Sequence, residues 1–317
     1  MSDSQKTAFL FPGQGSQEVG MGAALAVTYP SAREVFDVMD HIMGFPLSKI
    51  AWEGPEVLLN DTIHTQPALL AHSIASYRVF HSHYPEFTPQ FLAGHSMGEI
   101  TALVVGGTLT LEAGLCLARK RGELMKEAGE IAPGGMAAIL ALDLKTVEDI
   151  CQESSSKDNL VQIANDNCPG QVVISGHSKA LEKAMDYALH AGARKVVRLA
   201  ISIGAHSPLM VSAQEEFNHF LEKLEINDSR IPIIGNVSAS PLNTIDEIRA
   251  DLFAQLDSRV EWRKTIQYML DNGIDTFVEL GSGDVLTGLV KRIYRKSKRI
   301  SLASPEDFQK MDTILLS

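Results

Sequence analysis

The sequence predicts an α/β fold, and three observations carry that expectation. Short apolar runs closed by turn residues alternate with longer helical stretches, the pattern of a mostly parallel sheet covered by helices on both faces. A Gly-x-Ser-x-Gly stretch at 94–98 sits where an apolar strand runs straight into a helix. After Pro133-Gly134-Gly135 the order changes to β-α-β-β-α-β, the split βαβ arrangement of ferredoxin-like units, before α/β alternation resumes after Ser207.

The first element, Thr7–Phe11, is an apolar run stopped by Pro12-Gly13, and it reads as a buried strand. Helices are expected over Ser31–Met43 and Pro67–His83, the latter with Leu70, Ile74, Tyr77 and Val79 on one broad face. Phe91–Ala93 is a short strand feeding the helix Gly98–Val105, and a further helix runs from Leu111 to about Ala128. In the insertion, strands are expected at Met136–Leu142, Leu160–Ala164, Gln171–Ser175 and Lys195–Leu199, with helices at Leu144–Ser154 and Lys179–Ala191. The remaining helices fall near Pro208–Lys223, Asp246–Gln255, Trp262–Asn272 and Asp284–Arg295, and the remaining strands at Ile231–Asn236, Thr276–Leu280 and Ile300–Ala303. The insertion divides the chain into residues 132–199 and a larger unit made of 1–131 and 200–317.

Composition narrows the functional classes. With 45% hydrophobic and 21% charged residues, the 317-residue chain has the make-up of an ordinary folded protein. Its net charge of −11 argues against a nucleic-acid binder. No apolar run is long enough for a membrane span or a signal-peptide core. Cys116, Cys151 and Cys168 are odd in number and far apart, with neither a disulfide framework nor zinc-ligand spacing, so a reducing cytoplasm is expected.

Ser96 is the leading nucleophile candidate. Glycines at 94 and 98 permit the sharp strand–turn–helix reversal that lifts its hydroxyl above the sheet at a helix N-terminus, where a developing oxyanion is stabilised. A serine needs a base. Of ten histidines, His206 stands apart, in Ile203-Gly204-Ala205-His206-Ser207-Pro208 after the strand-like run Val196–Ser202; that puts it at a strand end, where open α/β sheets collect ligands. No aspartate between the two stands out as the orienting acid. Either the acid is hidden in the pattern, or a backbone carbonyl serves and the site is a Ser-His dyad. The loop Phe11–Gln17 lacks the Gly-Lys-Ser/Thr ending of a phosphate loop and the G-x-G-x-x-G spacing; it is suited to offer a backbone N–H beside Ser96. Arg121, within Arg119-Lys120-Arg121-Gly122, reads either as one of three solvated cations or as a guanidinium turned inward to hold a carboxylate.

Phe11-Pro12-Gly13-Gln14-Gly15-Ser16-Gln17, Gly94-His95-Ser96-Met97-Gly98-Glu99, Arg121-Gly122, Asn165-x-Asn167-x-Pro169-Gly170-Gln171, His206 and Glu279-Leu280-Gly281-x-Gly283 together resemble the malonyl-CoA:acyl carrier protein transacylase family, in order and spacing from Thr7 to about Ala303. The resemblance implies an α/β-hydrolase-like large subdomain with an inserted ferredoxin-like small one. It also implies an S-malonyltransferase that moves malonyl from malonyl-CoA to the phosphopantetheine thiol of an acyl carrier protein, by a ping-pong route through malonyl-serine, for fatty-acid or polyketide synthesis. In these terms Ser96 is the nucleophile, His206 the base and Arg121 the ligand of the malonyl carboxylate, and no metal or tightly bound cofactor is needed. The backbone N–H groups of Gln14 and Met97 form the oxyanion hole, the main-chain carbonyl of Gln255 orients His206, and Asn165 lies near the cleft. The residues Ile203–His206 match neither pattern that separates malonyl from methylmalonyl in polyketide relatives; malonyl is the expected group.

Residues 291–299 carry six cations in nine positions. Lys291, Arg292 and Arg295, with Lys195 and Arg198 as possible additions, are expected to dock an acidic carrier protein, the alternative being a solvated helix end. A monomer is expected. Two other readings use the same residues: a serine esterase or thioesterase, which needs no inward arginine, and a non-catalytic carrier-binding module.

Overall fold

A computed structural model describes residues 6–315 of the chain; the expected terminal stretches 1–5 and 316–317 lie outside the described residues. Ten strands form two sheets. Strands β1 (Thr7–Phe11), β2 (Phe91–Gly94), β7 (Ile233–Ile234), β8 (Pro241–Leu242), β9 (Thr276–Leu280) and β10 (Lys298–Leu302) make the larger sheet, in the order β10-β9-β1-β2-β7-β8. Its pairings are parallel except for β7 with β8. Strands β3 (Gly134–Leu140), β4 (Val161–Cys168), β5 (Gln171–His177) and β6 (Lys195–Arg198) make an antiparallel sheet in the order β4-β5-β3-β6.

β1 is central to the larger sheet and every one of its five residues is buried, as a strand covered on both faces must be. Successive side chains enter opposite cores. Phe9 and Phe11 join the cluster formed with the helices Pro30–Met43, Thr62–His83, Gly98–Val105 and Leu111–Ile131. Ala8 and Leu10 join a second cluster with Trp262–Asp271 and Val285–Ile293. The smaller sheet has its own core, with Ile139, Ile163, Ile174 and Leu181 packed between its strands and the helices Leu144–Ser154 and Ser178–His190.

The helix expected from Pro67 begins a full turn earlier. Asp61 caps it, its carboxylate accepting the Ile63 N–H at 3.2 Å, and the helix runs through Thr62–His83 with Pro67 inside. A proline normally opens a helix because it lacks the N–H, but here the cap fixes the start. The extra turn buries Thr62, Thr65 and Gln66, and Gln66 reappears in the site below. β4 also outlasts its expected end at Ala164: two irregularities in its pairing with β5 carry it to Cys168 and bring Asn165 and Asn167 into the strand. Conversely, β6 stops at Arg198, so residues 199–205 are irregular and His206 does not stand at a strand end. The short helices Ala23–Thr28, Leu47–Glu53 and Glu56–Leu59, strand β8 and the helix Pro305–Leu315 were not expected; most are too short to impose a period on the sequence.

The smaller sheet is tied to the segment before the helix Trp262–Asp271, where Val260 bonds to both sides of Asn165: Val260 N–H donates to the Ala164 carbonyl at 2.8 Å and Asp166 N–H to the Val260 carbonyl at 3.0 Å. The buried Asp166 pairs with Arg263 at 2.8 Å, and Arg259 reaches Glu148 at 3.0 Å and Glu261 at 2.7 Å.

Phe9 packs edge-on against Phe80 at 4.9 Å and stacks with Phe87 at 5.9 Å between ring centroids. Phe9→Ala is expected to cost about 3–5 kcal/mol, read as a lower urea midpoint with an unchanged slope.

Candidate active site

The turn after β2 is built by exclusion. A Cβ on Gly94 would lie 1.8 Å from the Gly98 carbonyl carbon, and one on Gly98 would lie 2.1 Å from the Phe11 oxygen. Neither position accepts a side chain, so the helix starting at Gly98 packs directly on the end of β1. Between the glycines Ser96 takes φ +53°, left-handed and unusual for a residue with a side chain. Asn236, 2% exposed, holds it there: its Oδ1 accepts the Ser96 N–H and its Nδ2 donates to the Gly94 carbonyl, both at 2.7 Å.

His206 arrives from the irregular segment after β6. It too is left-handed, with φ +57°, and both of its peptide groups are tied: its N–H donates to the Leu256 carbonyl at 2.8 Å, and its carbonyl accepts from Gln162 Nε2, on β4, at 2.9 Å. The imidazole spans the gap. Nδ1 lies 2.8 Å from the Gln255 carbonyl and 3.2 Å from that of Ser258; Nε2 lies 2.8 Å from Ser96 Oγ. Carbonyls only accept, so Nδ1 carries the hydrogen and Nε2 presents its lone pair to the serine hydroxyl. Burial foremost, and the Arg121 charge next, push the imidazole down to about 3.

Arg121 is 1% exposed. Its Nη2 donates to Ser96 Oγ at 3.0 Å, Nη1 to Gln66 Oε1 at 3.0 Å and to Met125 Sδ at 3.2 Å, and Nε to Gln255 Oε1 at 3.1 Å. None of these partners is a carboxylate. Burial lowers the guanidinium to about 10, which leaves it charged at neutral pH. A cation held by neutral groups in a dry site has unspent attraction for an anion. The neighbours behave differently: Arg119 bonds Glu123 at 2.6 Å on the exposed side of the same helix.

The cleft between the two sheets has a volume of about 380 Å³ and is lined by Gln14, Ser96, Arg121, Asn165, His206 and Leu286, among others. The residues singled out in the sequence thus converge: Ser96, His206, Arg121 and Gln255 are directly bonded, and Gln14 and Asn165 border the same space. Met97 heads the helix Gly98–Val105 and is fully buried. Gln14's side chain accepts from Thr62 Oγ1 at 2.9 Å. His95 points away from the serine toward Asn167, its Nε2 2.9 Å from Oδ1. Arg292 is not free: it donates to Gln171 Oε1 at 2.7 Å and to the Gly170 carbonyl at 3.4 Å, bridging the helix Val285–Ile293 to the β4–β5 turn. Lys291 and Arg295 are exposed. Among the described residues no cluster of metal-ligating side chains occurs, and no helix is long and apolar enough to cross a membrane.

Asn236, Gln66 and Glu99 escaped the sequence reading as site residues. Glu99 lay within a motif, one helical turn after Ser96, and that spacing was the available signal. Asn236 and Gln66 carried none, because their partners are distant in the chain.

Comparison with known proteins places the chain in a family. Residues 8–307 match the acyl transferase domain family, which defines the class. A malonyl CoA-acyl carrier protein transacylase of Bacillus subtilis (strain 168) is 41% identical over 304 residues, 96% of this chain and 95% of the relative. The solved malonyl CoA-acyl carrier protein transacylase of Coxiella burnetii superimposes with a TM-score of 0.96 at 37% identity over 99% of each chain. A malonyl-transacylase solved in complex with its type II PKS acyl-carrier protein gives a TM-score of 0.94 at 35% identity, over 98% of this chain and 100% of that one. The chain belongs to the malonyl CoA-acyl carrier protein transacylase family.

Because the folded imidazole titrates at about 3 and the unfolded one at 6.5, below pH 6.5 the unfolded chain takes a proton that the folded chain refuses. His206 therefore contributes stability above pH 6.5 that is lost as pH falls toward 3. In the folded protein Nε2 stays unprotonated throughout that window. Covalent labelling of Ser96 by a fluorophosphonate should show no inflection near pH 6.5 between about pH 5 and 8; an inflection there contradicts the assigned environment of His206.

Proposed function

We propose that this chain transfers a malonyl group from malonyl-CoA to the phosphopantetheine thiol of an acyl carrier protein through a malonyl ester of Ser96, supplying extender units for fatty-acid or polyketide synthesis. The observation that carries the reading is a single hydroxyl, Ser96 Oγ, bonded at once to His206 Nε2 at 2.8 Å and to the buried Arg121 Nη2 at 3.0 Å. An esterase has no use for a dry, unpaired guanidinium beside its nucleophile; a transferase of a group with a free carboxylate does.

In the first half-reaction Ser96 Oγ attacks the thioester carbonyl and its proton passes to His206 Nε2. The Gln255 carbonyl, bonded to Nδ1–H, holds the tautomer and takes the place of a carboxylate. The developing oxyanion is met by the backbone N–H groups of Gln14 and Met97, a role supported by Gln14's place on the cleft wall and Met97's at a helix N-terminus. Collapse breaks the C–S bond, and the CoA sulfur takes the proton from His206. In the second half the carrier's thiol gives its proton to His206, the sulfur attacks the ester carbonyl, and Ser96 Oγ leaves with that proton. Arg121 holds the malonyl carboxylate through both halves. Asn165 borders the cleft near the acyl chain, and malonyl rather than methylmalonyl is the group transferred.

The strand orders support an α/β-hydrolase-like large subdomain (1–131 and 200–317) carrying a ferredoxin-like small one (132–199). Free cysteines fit a cytoplasmic monomer. Lys291 and Arg292 lie on a helix whose Val285, Leu286 and Leu289 border the cleft, and Arg295 follows in the turn after its end, which suits the docking of an acidic carrier at the cleft mouth.

Arg121→Ala tests the carboxylate clamp. The kcat/KM for malonyl-CoA should fall by roughly 100- to 1000-fold, while acetyl-CoA becomes a relatively better donor; intact malonyl transfer removes Arg121 from the role. For docking, K291E/R295E should raise the carrier's KM about 3- to 10-fold at low salt, with the gap closing as salt rises. A carrier KM unchanged at every salt concentration rejects this face.

A further inference from the structure

Behind Ser96 lies a layer of buried polar side chains that takes no direct part in the transfer steps. Glu99, on the first turn of the helix Gly98–Val105, is 0% exposed, and Asp251, on the helix Ile245–Leu252, is 4% exposed. Asp251 accepts the backbone N–H groups of Asn236, Val237 and Ser238 at 3.0, 3.2 and 2.9 Å. Glu99 Oε1 shares the first of these, at 3.0 Å, so one N–H brings the two carboxyl groups together.

Two carboxyl groups in such contact, away from water, cannot both be anions, so they hold a proton between them. Asp251 accepts three backbone N–H groups and Glu99 one. The proton therefore rests on Glu99, which burial first and Asp251 second push well above the ordinary carboxylate range. It lies on Oε1, beside Asp251, and this leaves Oε2 as an acceptor.

Oε2 is bonded to Gln255 Nε2. That same nitrogen donates to the Ser96 carbonyl at 3.2 Å, and the amide's other end, Oε1, accepts from Arg121 Nε at 3.1 Å. A carboxamide offers donors at one end and an acceptor at the other. If it turned over, its NH2 would face the guanidinium, donor against donor, and its oxygen would face Glu99. The acceptor oxygen of Glu99 decides which way the amide points, and the main chain of the same residue orients His206.

We propose that Glu99 is a positioning residue for substrate selection: through the Gln255 carboxamide it holds the Arg121 guanidinium in place for the carboxylate of the acyl group. This rests on the reading of Arg121 as the carboxylate clamp. The pair of carboxyl groups carries one negative charge in place of two, and it is separated from Arg121 by the neutral amide. Arg121 is thus steadied without an ion pair, and its charge remains available to the incoming anion.

The test compares Glu99→Leu with Glu99→Gln. Leucine removes the acceptor. Glutamine can donate its NH2 to Asp251 and accept from Gln255 with its oxygen; it gives up only the shared Asn236 N–H, which Asp251 also accepts. Glu99→Leu should raise the KM for malonyl-CoA about 10-fold or more with a smaller loss in kcat, and lower the preference for malonyl over acetyl by a similar factor. Glu99→Gln should bring both quantities back to within about threefold of the unaltered protein. A merely structural role would weaken both donors alike. Should Glu99→Leu fail to fold, Glu99→Met, an unbranched side chain of similar length with no oxygen acceptor, takes its place; the same loss of malonyl preference is expected. An unchanged malonyl-to-acetyl ratio in the folded Leu or Met variant, or a Gln variant as impaired as Leu, overturns the proposal. Failure of the unaltered protein to gain malonyl by intact-mass measurement is a separate result: it rejects the clamp reading itself.

Discussion

The site is organised around the 2.8 Å hydrogen bond from His206 Nδ1–H to the main-chain carbonyl of Gln255. A carbonyl fixes the imidazole's tautomer and direction as a carboxylate would, but it brings no charge. In this cleft that distinction decides the chemistry available. A carboxylate behind His206 would raise the imidazole and compete for Arg121, the one cation bonded to the nucleophile. With a neutral acceptor the histidine remains unprotonated and the guanidinium remains unpaired. Since the carbonyl belongs to the residue whose side chain meets Arg121, the base and the cation are located by a single position in the chain.

Strain at two backbone sites is held by long-range contacts. Ser96 and His206 both occupy left-handed conformations, each costing on the order of 1–3 kcal/mol, and each is held by a residue far away in the chain. Asn236 clamps the serine turn across 140 residues of chain, and Gln162 clamps the histidine from the other sheet across 44. The smaller sheet is thus more than a cover: Gln162, Asn165 and Asn167 all come from β4, and the irregularities in that strand aim alternate residues at the cleft.

What the sequence disclosed follows from how local each constraint is. The Gly94-x-Ser96-x-Gly98 turn was legible because both glycines are demanded by atoms a few residues away or by the adjoining strand end. β1 was legible because burial on both faces leaves an unbroken apolar run. Arg121 was ambiguous, since a run of three cations does not say which one turns inward; the resemblance to a family resolved it, and so it did for Gln255, whose contribution to His206 is a main-chain atom that any residue type possesses. Asn236 and Gln66 left no local trace. The start of the helix at Thr62 was misread because Pro67 is a good first-turn residue, whereas the Asp61 cap, six residues earlier, wins. His206 was identified for a partly mistaken reason: its surroundings are small and irregular, but the strand assumed to deliver it ends at Arg198.

The nearness of Arg121 to His206 has a further effect. The guanidinium's field is one of the causes that keep the imidazole a weak proton acceptor. On the proposed role of Arg121, an acyl group that delivers its own negative end there would cancel part of that field and make the imidazole a stronger acceptor as the thioester arrives. A donor with an uncharged tail would leave the field in force. Discrimination between donors would then act on the speed of bond making as well as on occupancy of the cleft, with the cargo itself as the trigger.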